Sequence, residues 1–170
     1  MPINNPPKIH ELVICANCFI KKDGKYLVLR RSKAKKYAPG VIHPVGGKVE
    51  PGENPFSAAI REVAEETGVK VGNLRLEAVL LELKPHLNEP WDWLIFHFSG
   101  DYISGDVTTT KEGDLVWLTD KEIKQEQLFL SVQQVIGDIL DQKKGTVFAT
   151  MEYDDDKKKI IKCSKDYTAG

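Results

Sequence analysis

The sequence predicts an α/β fold, and three observations carry that reading. Short runs rich in β-branched and aromatic residues are interrupted by two segments whose apolar residues recur at helical spacing. The run 91–99 is apolar on both faces, with Trp93, Ile95 and His97 on one and Leu94, Phe96 and Phe98 on the other, so helices are expected to cover both sides of its sheet. At 170 residues the chain has the length of one domain with a proper core.

Taken in order, residues 1–10 are rich in Pro and Asn and are expected to form a loose tail. Residues 12–20 and 26–30 read as strands around the turn signal Lys22-Asp23-Gly24-Lys25. Residues 32–45 carry Pro39-Gly40 and Pro44 and read as loop with at most a short strand. A helix follows, with Asn54 as its cap, Pro55 in its first turn and Gly68 just past its end. Residues 74–83 and 91–99 are strands separated by a polar, Pro-containing segment, and 114–118 is a short one. Residues 121–123 begin a short helix or turn. Ser131 is expected to cap a second helix with Val132, Val135, Ile136, Ile139 and Leu140 as its apolar stripe. Residues 146–153 and 159–163 form a C-terminal hairpin, whose turn 154–159 reads as a solvated charge run with no binding role. With no internal repeat or linker, residues 11–165 make a single domain followed by a tail, 166–170.

Lys plus Arg number 24 against 25 Asp plus Glu, so the balance gives no general polyanion signal, and without an aromatic and basic stripe nucleic-acid binding is not favoured. The distribution is more informative than the total. Between Lys21 and Lys48 only Asp23 opposes a series of basic residues, which places a basic segment directly before the first helix and suits it to hold phosphates. Arg30 and Arg31, at the end of a strand, are the strongest candidates, with most of the lysines read as solvated loop. No run is long and apolar enough for a membrane span or signal peptide, so the protein is expected to be cytoplasmic, a monomer or homodimer. Cys15 and Cys18 form a CxxC inside a strand, where that spacing sends the side chains to opposite faces, so they read as small buried hydrophobes.

The first helix carries the chemistry. At about 100° per residue, Phe56, Ala59, Ile60, Val63 and Thr67 share a core face, while Glu62, Glu65 and Glu66 fall on roughly the other side. Three carboxylates at i, i+3 and i+4 repel one another, and in the last turns the helix dipole also disfavours them. Arg61 can pair with one of them. A hard divalent cation, Mg²⁺ or Mn²⁺, would turn that repulsion into coordination. The alternative is an acidic, solvated helix face.

The surrounding residues decide between these readings. Gly47, Glu53, Arg61-Glu62-Val63, Glu65-Glu66 and Gly68-Val69 match every fixed position of G-x5-E-x7-R-E-U-x-E-E-x-G-U, with U aliphatic, so the segment resembles the box of the Nudix hydrolases. The resemblance implies an α/β/α sandwich with a mixed central sheet, and Mg-dependent hydrolysis of a nucleoside diphosphate linked to a further group X. It also implies that Glu62, Glu65 and Glu66 bind metal together with the carbonyl of Gly47 or its neighbour Gly46. Glu53 would organise the metal site and water, with Arg61 fixing its geometry, and the general base would be Glu65, Glu53 or a carboxylate outside the box. Glu112, five residues before Trp117, resembles the auxiliary carboxylate of MutT-like members and is expected to act as ligand or base, an ordinary turn Glu being the alternative.

Element order and the segment from Glu112 to Trp117 resemble the nucleoside triphosphate pyrophosphohydrolases of this family, including those acting on 8-oxo-dGTP. A small-molecule nucleotide is therefore the expected partner, a (deoxy)nucleoside triphosphate split into monophosphate and pyrophosphate. Arg30, Arg31, His43, Lys48 and Asp92 are the expected substrate-binding residues. Hydrolysis of ADP-ribose, for which Pro85 is the pointer, of dinucleoside polyphosphates or of RNA caps is the alternative, and a catalytically inactive nucleotide-binding domain is a third reading.

Overall fold

The computed structural model describes residues 9–108, 111–141 and 145–168, so most of the expected N-terminal tail lies outside the described residues. The elements are β1 (Leu12–Lys22), β2 (Lys25–Arg31), β3 (Ile42–His43), β4 (Val45–Lys48), α1 (Pro55–Thr67), β5 (Lys70–Leu83), β6 (Asp92–Ser104), β7 (Gly113–Leu118), α2 (Asp120–Ile123), α3 (Leu130–Leu140), β8 (Val147–Tyr153) and β9 (Ile160–Tyr167). Among the described residues the strands form one mixed sheet in the order β3-β2-β1-β6-β5-β8-β9, with β4 attached to β1 and β7 to β2. β1 runs parallel to β6, and β5 to β8; the other pairs are antiparallel.

The sheet is covered on both faces, as the apolar pattern of β6 requires. On one side Ala58, Ala59 and Val63 of α1 pack against Cys18, Val45 and Phe98. On the other, Ile123 of α2 and Val132, Val135 and Ile139 of α3 pack against Phe19, Leu80 and Met151. Among the described residues no helix is long and apolar enough to cross a membrane.

β1 positions the site by dividing one of its edges between two partners. Its far edge pairs with β6 from Leu12 to Lys21. On the near edge, Ile20 to Lys22 pair with β2, whereas Cys15 to Cys18 pair with β4. β4 is therefore set beside β1 at the point where β2 has parted from it, and α1 follows it after a short loop.

The segment 32–45 keeps to the expected loop with one short strand, the two-residue β3, and only its last residue, Val45, belongs to β4. Several other expectations are corrected. β9 reaches Tyr167, so the expected C-terminal tail begins inside a strand. Ser131 does not cap α3: the cap position is Phe129, two residues earlier, with no side-chain cap hydrogen bond, and Ser131 is buried inside the first turn beside the Glu82 carboxyl. The core face of α1 is rotated from the one expected. Ala58 is buried, while Phe56 and Ile60 are 47% and 38% exposed. Small alanines let α1 approach β1 and β4 closely, and the rotation turns Glu62 and Glu66 inward onto β4.

Cys15 and Cys18 are free thiols on opposite faces of β1, Cys18 under α1 and Cys15 on the wall of a cavity. Burial pushes their pKa values up to about 11 and about 12, which keeps both as unreactive thiols.

Candidate active site

α1 is anchored at both ends as its sequence dictates. Asn54 Oδ1 accepts from Ser57 N at 3.0 Å, Pro55 occupies the first turn, and Gly68 adopts φ 76° while its N–H donates to Ala64 O at 3.0 Å. This holds the acids of the last turns in register with Gly46 and Gly47 of β4. Gly46 N donates to Glu66 Oε2 at 3.2 Å. The Glu62 carboxylate lies against Gly47, where a Cβ would come within 2.6 Å of its Oε1, so only glycine leaves room for the carboxylate there.

Arg61 does more than the single pairing expected of it. Its Nε and Nη2 grip Glu53 at 3.0 and 2.9 Å, its Nη1 reaches Glu62 at 2.9 Å and Glu65 at 3.1 Å, and Nη2 also donates to Lys48 O at 3.2 Å. The guanidinium thereby ties the loop before α1 to the helix itself. Its hydrogen bonds also hold the Glu53 carboxyl below the usual carboxylate range. Glu65 lies on the outer flank with a side chain 59% exposed.

Glu66 stands apart from this clamp. Burial raises its carboxyl to about 7, opposed by the Gly46 hydrogen bond and reinforced by the charges of Glu62, Glu112 and Glu65. Glu112, ahead of β7, thus comes from a distant part of the chain to the same side of the molecule. It forms a 2.6 Å ion pair with Lys35, which lowers its pKa. Among the described residues no three Asp, Glu, His or Cys side chains form a ready-made cation cage. The donor set still fits Mg²⁺: it is all oxygen, it includes a half-buried carboxylate whose charge the neighbouring acids disfavour, and Mg²⁺ takes one or two protein carboxylates and completes its shell with water and phosphate oxygens.

Gly46 and Gly47, which Glu66 and Glu62 touch, and Glu112 line a cavity of about 860 Å³, whose walls also include Tyr37, His43, Trp93 and Phe129. The Tyr37 and Phe129 rings stack with centroids 5.8 Å apart, and His43 lies 5.5 Å from Phe129. His43 Nδ1 donates to Pro44 O at 2.6 Å, and burial lowers its pKa to about 4, so the ring is neutral at pH 7.

The basic candidates separate. Arg31 and Lys48 are on the cavity wall; Arg31 donates to Tyr37 O at 3.2 and 3.3 Å, and Lys48 Nζ lies 5.8 Å from the centre of the Trp93 ring. Arg30 points elsewhere, because neighbouring residues on a strand face opposite sides, and it forms a bidentate pair with Glu126 at 2.8 and 2.9 Å. Asp92 is also away from the cavity wall and accepts from Lys84 N at 3.0 Å, closing the turn between β5 and β6. Lys157 and Lys158, read from sequence as turn solubility, reach the cavity rim, where Asp154 Oδ1 caps the turn by accepting from Lys158 N. Glu82, His97 and Ser131 are on the wall as well. An ionisable residue inside the apolar run Val79-Leu80-Leu81-Glu82-Leu83 was the signal for Glu82. The lysines had none, since the turn reaches the cavity only through the pairing of β8 with β5.

A family model described as NUDIX domain matches residues 11–148. The Bacillus subtilis protein described as uncharacterized Nudix hydrolase YvcI is 33% identical over 106 residues, covering 59% of this chain and 62% of that protein. The NAD-capped RNA hydrolase NudC of Klebsiella pneumoniae is 32% identical over 109 residues, covering 62% of this chain and 37% of its own length. The chain therefore spans less than two thirds of each of these curated relatives. Among solved structures, a MutT protein from Bacillus halodurans superposes with a TM-score of 0.78 at 22% identity, covering 91% of this chain and 97% of that one. A UDP-X diphosphatase superposes with a TM-score of 0.62 at 18% identity, covering 86% and 70%.

Proposed function

Since this chain belongs to the Nudix family, we propose that it is a divalent-metal-dependent pyrophosphohydrolase of nucleoside diphosphates linked to X, with a nucleoside triphosphate as the substrate. The observation that carries the reading is the inward turn of Glu62 and Glu66 onto the glycines of β4, which themselves line an aromatic-walled cavity that also presents Arg31 and Lys48. Residues 11–165 act as the one catalytic domain in this proposal, taken as a piece or as the whole of the protein.

Hydrolysis joins a water oxygen to phosphorus and breaks a bridging P–O bond, giving a monophosphate and pyrophosphate. The obstacle is the negative charge on the phosphate oxygens. Mg²⁺, or Mn²⁺ in its place, would neutralise part of that charge and lower the pKa of water, held by Glu62 and Glu66 with a carbonyl of Gly46 or Gly47 and with Glu65 at its outer side. Arg31 and Lys48 bind phosphate oxygens from the cavity side, since both lie on its wall. Glu53 is fixed by the Arg61 fork and orients water, because a carboxylate gripped at both oxygens keeps one geometry. Glu112 is the auxiliary carboxylate that, as general base, takes the proton of the attacking water. His43 and the stacked Tyr37 and Phe129 enclose the nucleoside.

Two expected results follow for this site. Glu112→Gln should lower kcat about 10²-fold while leaving Tm within a degree or two, because its pair with Lys35 is partly exposed to solvent and such pairs contribute about 1 kcal/mol or less. A variant of full activity would remove Glu112 from the mechanism. Incubation with Mg²⁺ and a panel of canonical and 8-oxo nucleoside triphosphates, ADP-ribose, nucleotide sugars and dinucleoside polyphosphates should release pyrophosphate from a triphosphate. Failure to turn over any of them, with Mg²⁺ or Mn²⁺, would favour a binding-only domain.

One observation favours a second reading, a substrate with two nucleoside-like ends such as a dinucleoside polyphosphate, ADP-ribose or a capped RNA. A second concavity of about 710 Å³ adjoins the first, shares Lys48, Lys157 and Lys158 with it, and adds Leu87 and Trp91. Turnover confined to two-ended substrates in the same panel would select this reading.

A further inference from the structure

The cavity wall carries polar atoms that the fold itself leaves unmatched. Among the described residues, His43 Nε2, Glu82 Oε1, Trp93 Nε1 and both ring nitrogens of His97 are buried without a hydrogen-bond partner, and all four residues line the same cavity. Buried polar atoms are nearly always paired, so a concentration of unpaired ones on a single concave wall points to a ligand that supplies the partners.

Glu82 and Trp93 form the most defined part of this wall. They are Cα partners in the antiparallel β5–β6 ladder, so their side chains leave the same face of the sheet next to each other. Glu82 is 5% exposed. Its Oε2 accepts from Tyr153 OH at 2.6 Å, which holds the side chain while Oε1 has no hydrogen-bond partner. The indole Nε1–H of Trp93 is a donor of the same kind, buried and without acceptor. The wall thus offers an acceptor beside a donor. The surroundings suit a flat ring: the Tyr37 and Phe129 rings stack, and His86 meets Trp93 edge-on at 4.8 Å.

On the premise that the cavity takes a nucleotide, as the proposed function has it, we infer that Glu82 and Trp93 read the base: an N–H on its edge donates to Glu82 Oε1, and an adjacent ring nitrogen or carbonyl accepts from Trp93 Nε1. A sugar could meet the same atoms with hydroxyls, but it would leave the stacked rings without a planar partner. The substrate class is a nucleotide whose base carries an N–H donor next to an acceptor. A base lacking any such donor leaves Glu82 buried and unpaired, and is rejected for that reason.

The experiment compares ATP or GTP, whichever is turned over faster, with purine riboside 5′-triphosphate, which keeps the ring, ribose and phosphates but has no N–H on its base. The parent protein is expected to favour the natural nucleotide by about a hundredfold or more in kcat/KM. Glu82→Leu is expected to reduce that preference to within about threefold, through KM. If Glu82→Leu is not folded by circular dichroism, Trp93→Phe keeps the aromatic surface and removes only the donor; it should raise KM for both triphosphates by about tenfold. Equal use of both substrates by the parent, an unchanged preference in Glu82→Leu, or an unchanged KM in Trp93→Phe would overturn the inference while the hydrolase reading stands. A folded parent that turns over no nucleotide overturns both.

Discussion

Glu66→Gln is expected to lower kcat by roughly a hundred- to a thousandfold, the effect of several kcal/mol of transition-state stabilisation lost with the carboxylate proposed to hold the metal. The fold should tolerate the change, because the amide keeps the shape of the carboxylate and can still accept from Gly46 N through its oxygen. The variant should also gain stability in the upper pH range when both proteins are kept in EDTA. Burial holds the folded-state carboxyl at about 7 against an ordinary value of 4.5. Below that ordinary value the group is protonated in the folded and unfolded chains alike. As pH rises toward 7, the unfolded chain releases its proton first, so the parent loses stability across this window and does not regain it above. Glutamine has no proton to lose. Denaturant midpoints should therefore show the variant ahead of the parent at pH 8 and lose that advantage at pH 4. Added Mg²⁺ should stabilise the parent more than the variant, by preferential binding to the folded state. A variant less stable than the parent at pH 8 in EDTA would show that Glu66 serves as a structural acceptor rather than as a strained acid.

Gly46→Ala should have the largest effect on stability, roughly 2–4 kcal/mol. Gly46 adopts φ 155°, and a Cβ there would lie 2.2 Å from Ala16 O and 2.6 Å from Asn17 Cα, both backbone atoms of β1. Relief requires β4 to move off β1, which also withdraws the Gly46 N–H from Glu66, so activity should fall with stability. Gly47→Ala is the informative contrast. The nearest atoms to its Cβ would be those of the Glu62 carboxylate, the far end of a flexible side chain that can swing aside by giving up its bond to Arg61 Nη1. Thermal melts should place Gly46→Ala several degrees or more below the parent and Gly47→Ala close to it, while initial rates fall in both. A melt of Gly46→Ala matching the parent would contradict the close approach of β4 to β1.

The reading of α1 shows why some features were legible and others were not. Its cap at Asn54, its first-turn Pro55 and its terminal Gly68 are local devices, fixed by hydrogen bonding and backbone sterics within a few residues, and all three function as expected. The direction in which the helix faces is not a local property. Phe56 and Ile60 made the sequence-based core face look larger than it is, because hydrophobicity alone does not reveal that Ala58 and Ala59 permit the closest approach. The rotation that follows brings Glu62 and Glu66 onto β4.

Arg30 and Arg31 illustrate the same distinction on a strand. Both carry the charge appropriate to phosphate, but adjacent residues face opposite sides, and only Arg31 reaches the cavity, while Arg30 meets Glu126, 96 positions along the chain.

The sequence by itself determined the family, through a spacing of glycines, acids and one arginine that lies within a single loop and helix, and it determined the layered α/β architecture, through the double-faced apolar pattern of β6. Only the tertiary structure decided what stands around that helix: that β1 shares one edge between β2 and β4, that Glu112 approaches Glu66 from a remote loop, and that Glu82, Trp93, Lys157 and Lys158 share one cavity. The physical reason is one of range. Caps, turns and helical spacing are set by near neighbours, whereas the walls of a cavity are set by strand register and helix rotation, which depend on packing across the whole sheet.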